Sequence, residues 1–234
     1  MEKDLERFME KIGYRFRNED LLRQAFTHSS WANEHRDIHS GDNERLEFLG
    51  DAVLELASSD CLYNRYPSMP EGKLTRLRAS LVCESTLAMS AREIGLTAYI
   101  RLGNGEERTG GRERDSIVSD AMEAVIGAVY LDGGFGEARR LVERTVLNDI
   151  EHKRLFSDSK TRLQEILQRD YPNDAIHYDE IGEDGPEHAK VFRADVRVGD
   201  TVLGTGEGQT KKAAQQQAAY RALLRIREKE PRTE

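Results

Sequence analysis

The sequence predicts an all-α domain followed by a small α+β domain of order α-β-β-β-α. Three observations predict it. The informative stretches up to residue 150 repeat at helical spacing, whereas three strand-like runs appear between two helices only beyond residue 158. A chain of 234 residues also accommodates two modest domains. The expected division is 1–150, a linker over 151–158, the second domain over 159–228 and a tail over 229–234.

Residues 43–54 form the most informative element. At about 100° per residue, Glu44, Glu47 and Asp51 share one stripe, with Glu55 close beside them. Leu46, Leu49, Val53 and Leu56 lie opposite, so the helix is expected to pack on that side. On its own such a pattern is more commonly a solvated acidic face, and Gly50 is what strains that reading. Mid-helix glycine costs roughly 1 kcal/mol against alanine, and close approach of another backbone is a reason to accept it. The expected partner is the helix over 120–130. Asp120 and Glu123 share a face, and Ala121, Ala124, Gly127 and Ala128 keep that helix thin. If the two faces meet, Glu47, Asp51, Asp120 and Glu123 converge. Two carboxylates roughly 5 Å apart repel by about 3 kcal/mol at an effective dielectric near 20. Such a group must take up protons or hold a cation. All-oxygen donors without Cys or His favour Mg²⁺ or Mn²⁺ over zinc, and hard ions of that kind suit displacement at phosphorus.

Between these helices, residues 103–114 read as an exposed Gly-rich charged loop. After an amphipathic stretch over 137–150, residues 151–158 lose periodicity. The second domain opens with a helix over 159–170 that turns Leu163, Ile166 and Leu167 inward and ends at Tyr171-Pro172. Strands follow over 175–181, 189–198 and 201–207, the last two joined at Gly199-Asp200. Thr210 then caps a helix reaching about Arg227.

Residues 43–54 resemble the signature helix of ribonuclease III, the double-strand-specific endoribonuclease. Phe26-Thr27-His28-Ser29-Ser30 with Ala32-Asn33-Glu34, the run 71–79 and the Asp120–Glu123 pair match in the family's order. The resemblance implies that Glu47, Asp51, Asp120 and Glu123 bind metal, with Asp51 and Glu123 the leading catalytic acids. It implies further cleft acids at Glu44 and Glu71, and a dimer-interface plug at Phe48, whose alternative role is an ordinary core side chain. The implied reaction is Mg²⁺-dependent hydrolysis of double-stranded RNA, with Mn²⁺ substituting and no organic cofactor. Products would carry 5′-phosphate and 3′-hydroxyl ends with a short 3′ overhang, cut by a homodimer. Ribosomal precursor processing and mRNA processing or decay are the implied roles. The second domain resembles the double-stranded RNA-binding domain through residues 160–165, 185–192 and 206–219. Gln164, Glu165 and His188 would then reach 2′-hydroxyls in the shallow minor groove, and Lys211 and Lys212 would meet phosphate at a helix N-terminus.

Several residues keep two readings. His28 is expected to be a hydrogen-bonded structural residue, and Trp31 and Tyr66 core or interface aromatics. Arg76 and Arg78 could meet phosphate or pair with nearby acids. Arg108, Arg112 and Arg114 could touch RNA or belong to a solvated connector.

Composition argues partly the other way. Formal net charge is −8, with 20 basic against 27 acidic residues over 1–150 and 12 against 13 over 158–229, whereas nucleic-acid binders are usually basic. Bound cations would offset part of the first excess, and phosphate contact depends on where the basic groups sit. No apolar run is long enough to span a bilayer and the start lacks a basic-then-apolar leader, so a cytoplasmic protein is expected. Cys61 and Cys83 read as reduced core thiols. The rival function is a non-catalytic double-stranded RNA-binding regulator whose helical domain only dimerises.

Overall fold

The computed structural model describes residues 2–35, 41–170, 175–184, 190–208 and 210–229. The backbone forms two compact units, 1–150 and 151–234, each with its own hydrophobic core.

The first unit is helical: α1 (Glu2–Ile12), α2 (Glu19–Ala25), α3 (Ser29–Glu34), α4 (Glu44–Arg65), α5 (Glu71–Val82), α6 (Glu84–Glu93), α7 (Asn104–Arg108), α8 (Asp115–Gly133) and α9 (Phe135–Thr145). The central element is α8. Its Ala121, Met122, Ala124, Val125, Ile126, Ala128 and Val129 are wholly buried, which the small side chains make possible. α4 crosses it, burying Leu46, Val53, Leu54 and Ala57. Leu56, expected on the packed side, is instead 58% exposed, and Phe48 is 82% exposed rather than a core residue. The apolar stripe of α4 is therefore wider than the core of this unit covers.

Residues 103–114 are not an open loop. They fold into α7 and a 3₁₀ turn, Gly111–Glu113. Arg112 grips both carboxylate oxygens of Glu107 at 2.9 and 2.6 Å and donates to the carbonyls of Thr97 and Ile100. Arg114 pairs with Glu106 at 2.7 Å. Arg108 donates to the Asn104 carbonyl at 3.2 Å, so all three arginines considered for RNA have partners inside the unit.

Residues 151–158, expected as a linker without periodicity, are almost entirely helical, in α10 (Ile150–Ser157). Leu155 joins the core of the second unit, which explains why this segment is ordered. α11 (Ser159–Asp170) buries Leu163 and Leu167. The antiparallel sheet has the order β1 (Ile176–Asp184), β2 (Val191–Val198), β3 (Thr201–Gly208). β1 pairs Ile176 with Val198, and its register shifts between Glu180 and Gly182. β2 turns Ala194, Val196 and Val198 toward the helices. α12 (Lys211–Lys229) packs Ala214, Ala218 and Ala222 against the sheet. The Thr210 hydroxyl accepts from the Ala213 N–H at 3.0 Å, the cap its position predicts. Tyr171-Pro172, the start of the second strand at Ala189, the hairpin 185–188 and residues 230–234 of the tail lie outside the described residues.

Candidate active site

Glu47 and Asp51 stand one turn apart on α4, and Asp120 and Glu123 nearly so on α8. What brings the two pairs together is glycine. A Cβ placed on Gly50 would collide with the Glu123 carbonyl and lie 3.1 Å from the Gly127 nitrogen. One on Gly127 would collide with the Leu46 carbonyl and lie 3.1 Å from the Gly50 nitrogen. The helices therefore touch backbone to backbone, which larger residues forbid. Their acidic side chains are left beside the crossing.

Carboxylate oxygens of Glu47, Asp120 and Glu123 all lie within 4.8 Å of one another. All three side chains are half-buried. Burial first, then the charges of Asp51, Asp120 and Glu47, push the Glu123 carboxyl up to about 8. Burial also raises Glu47, followed by Asp120, Glu44 and Asp51. Asp120 is raised by burial and Glu84, while His28 and a hydrogen bond from Ser119 work in the opposite direction. Three acids held together against their mutual repulsion fit a hard divalent cation: the donors are all oxygen, and binding removes the cost of ionising them side by side.

Asp51 is exposed and lies outside that trio, although after burial its charge acts most strongly on Glu123. Glu44 is exposed next to Glu47. Glu71, in the first turn of α5, accepts from the Thr75 hydroxyl at 2.9 Å and does not join the trio. Glu55 pairs with Arg78 at 2.8 Å, and Arg78 also donates to Ser59, so for Arg78 the ion-pair reading holds. His28 caps α3, its Nδ1 accepting from the Ser30 N–H at 3.2 Å.

In the second unit, Gln164 and Glu165 are exposed on α11. Lys211 and Lys212 are exposed in the first turn of α12. Lys211 pairs with Glu180 of β1 at 2.6 Å. His188 lies outside the described residues.

Residues 18–150 match the family model described as Ribonuclease-III-like, and residues 159–226 the double-stranded RNA binding motif. The chain belongs to the ribonuclease III family. It is 49% identical to Ribonuclease 3 of Listeria monocytogenes, over 94% of this chain and 97% of that protein. It is 48% identical to Ribonuclease 3 of Bacillus cereus, over 94% and 91% respectively. Among solved structures, the nuclease domain of ribonuclease III from Campylobacter jejuni superposes with a TM-score of 0.58 at 39% identity, covering 64% of this chain and 97% of that one. A second structure of that domain, which concerns flexibility in its dimer-forming region, gives 0.55 at 41% identity, covering 60% and 97%. As a ribonuclease III-type endoribonuclease, the chain joins a helical nuclease domain to a double-stranded RNA-binding domain.

Two contacts, one in the nuclease unit of this ribonuclease III and one in its second unit, escaped the sequence. Glu84 opens α6 and acts on Asp120 from 36 positions away, a relation no local spacing signals. Lys160, at the start of α11, donates to the Gln215 side chain at 2.8 Å and lies 4.5 Å from the Tyr178 ring centre. Its place in the run 160–165 was the available signal. What it touches was not.

Proposed function

We propose that this protein is a divalent-metal-dependent endoribonuclease. It hydrolyses phosphodiester bonds of double-stranded RNA and leaves 5′-phosphate and 3′-hydroxyl ends with a short 3′ overhang. The observation that carries this reading is the trio Glu47, Asp120 and Glu123, three oxygen donors within 4.8 Å of each other in a chain that also has a double-stranded RNA binding motif.

Glu47, Asp120 and Glu123 would hold Mg²⁺, or Mn²⁺ in its place, with Asp51 beside them at the open side of the site. When bound, such ions neutralise charge gathering on the transferring phosphate and make water a better nucleophile. The chain's own work is to position. Gly50 and Gly127 fix the spacing of the two helices, and burial keeps the acids from relaxing into solvent. Burial and the neighbouring charges push the Glu123 carboxyl up to about 8, and its proton is one that a bound cation would displace. Asp51 and Glu123 are the proposed catalytic acids, and Glu44 and Glu71 are proposed to line the cleft.

A homodimer is part of the proposal. Phe48 at 82%, Leu56 at 58% and Tyr63 at 73% exposure lie along α4, an apolar stripe of the sort that marks an interface. The related Campylobacter jejuni nuclease domain has a region involved in dimer formation. Two such sites would cut both strands of one duplex. Gln164, Glu165, His188, Lys211 and Lys212 are proposed to contact RNA. Action in the cytoplasm on ribosomal RNA precursors and messages is the proposed setting. No described helix is long and apolar enough to cross a membrane.

The test is Glu123→Ala assayed on long duplex RNA with Mg²⁺ and with EDTA. Cleavage should be lost while binding stays within about twofold, and EDTA should stop the unaltered protein. Undiminished cleavage by the variant refutes the role of Glu123.

A further inference from the structure

The lysine best placed to meet phosphate is already occupied. Lys211 is the first residue of α12, where free N–H groups and the helix dipole favour an anion. Its ammonium lies 2.6 Å from the Glu180 carboxylate, and the two side chains are 57% and 46% exposed. Both remain open to solvent, so an incoming phosphate can compete for the lysine. The backbone helps aim the acid. Glu180 is the last β1 residue in register before the shift, pairing with Ala194, whereas Gly182 pairs with Arg193. Irregularities of that kind turn a strand and redirect its side chains. Glu183, three residues further along β1, pulls on Lys211 in the same sense. Lys190 pairs with Glu183 at 2.9 Å, so the acidic end of β1 engages two lysines of this unit.

We propose that Glu180 occupies Lys211 as an internal substitute for RNA phosphate and so sets the affinity of the RNA-binding face. Duplex RNA must then displace one carboxylate before its own phosphate reaches this lysine. This rests on the reading of Lys211 as a phosphate contact.

The experiment is a four-corner cycle on the full chain: unaltered protein, Glu180→Gln, Lys211→Gln and the double variant. Binding to a duplex RNA is measured by fluorescence anisotropy in EDTA, which prevents cleavage, with circular dichroism melts to confirm folding. Glu180→Gln should tighten binding roughly threefold, as expected for release of an exposed ion pair. Lys211→Gln should weaken binding, and by more in the Glu180→Gln background. With Lys211 gone, Glu180→Gln should change nothing. An equal gain with and without Lys211 overturns the proposal, because Glu180 would then act only as bulk negative charge. No gain from Glu180→Gln, with Lys211→Gln still weakening binding, overturns it while leaving Lys211 as an RNA contact. No effect of Lys211→Gln in either background removes the contact itself, and the proposal with it.

Discussion

Among the acids at the crossing of α4 and α8, Glu123 has a carboxyl that titrates near neutrality, at about 8 instead of the ordinary 4.5. Folded protein therefore binds this proton more tightly than unfolded protein does. Without divalent ions, the stability that follows is fully present below pH 4.5 and is lost as pH rises through about 8. Glu123→Gln keeps the shape and removes the charge. In EDTA its melting temperature should match that of the unaltered protein near pH 4.5 and exceed it at pH 8. After discounting for partial solvent screening, the gap is on the order of 1–2 kcal/mol, or roughly 3–6 °C. Added Mn²⁺ should narrow or reverse it, because the ion stabilises only the protein that keeps its donor. Thermal melts across pH with and without the metal decide the matter. A gap that ignores pH would mean that Glu123 is not strained by its neighbours. The same residues show what sequence can supply. The stripe of acids and the out-of-place Gly50 were both visible in residues 43–54, and the glycine alone implied that a backbone lies against it. Glu84 was not visible, because its effect on Asp120 depends on where α6 starts in space.

Elements were legible where one local rule governs them. α4 and α8 follow from helical spacing and small residues, and α12 follows from the Thr210 cap. Segments held by ion pairs were not legible, since charged residues at irregular spacing look alike in a loop and in a tethered turn. α7 and the turn after it owe their order to the Arg112 fork and the Arg114–Glu106 pair. Likewise, α10 is fixed by the burial of Leu155 in a core built from residues far along the chain. Leu56 escaped for another reason: an apolar position in a helical pattern says that a face is covered, without saying by what. A comparable device protects the sheet. β3 lies at its edge, where unpaired backbone groups invite strand addition. From α12, Arg225 donates to the Leu203 carbonyl at 3.1 Å and Arg221 to the Thr205 carbonyl at 3.0 Å. Replacing both arginines by alanine should leave the unit folded and make the protein self-associate as its concentration rises. Sedimentation velocity over a hundredfold concentration range measures it, and behaviour like that of the unaltered protein would show that the arginines guard nothing.

Across the whole molecule, charge is divided as unevenly as chemistry. Residues 1–150 carry 20 basic and 27 acidic side chains, and residues 158–229 carry 12 and 13. The first unit gathers acids at the proposed cation site, so without bound ions its excess of negative charge would repel a polyanion. The second unit is near balance, and under the proposed function it would meet RNA through positions such as Lys212, not through net charge. Affinity should therefore come mostly from the second unit and cleavage wholly from the first. Each has its own core, so the two functions can be separated physically. Residues 1–150 expressed alone should cut duplex RNA at low salt and high Mg²⁺, with affinity at least tenfold weaker than the full chain. The loss should also change the salt response. Each phosphate contact removed makes the fall of log affinity with log salt shallower by about 0.7–0.9. Losing Lys211 and Lys212 should therefore flatten that line by between one and two units. Anisotropy titrations at four salt concentrations on both proteins supply the slopes. If the truncated protein bound as tightly and with the same slope, the basic start of α12 would have no part in holding RNA, and the acidic nuclease unit would have to do so by itself.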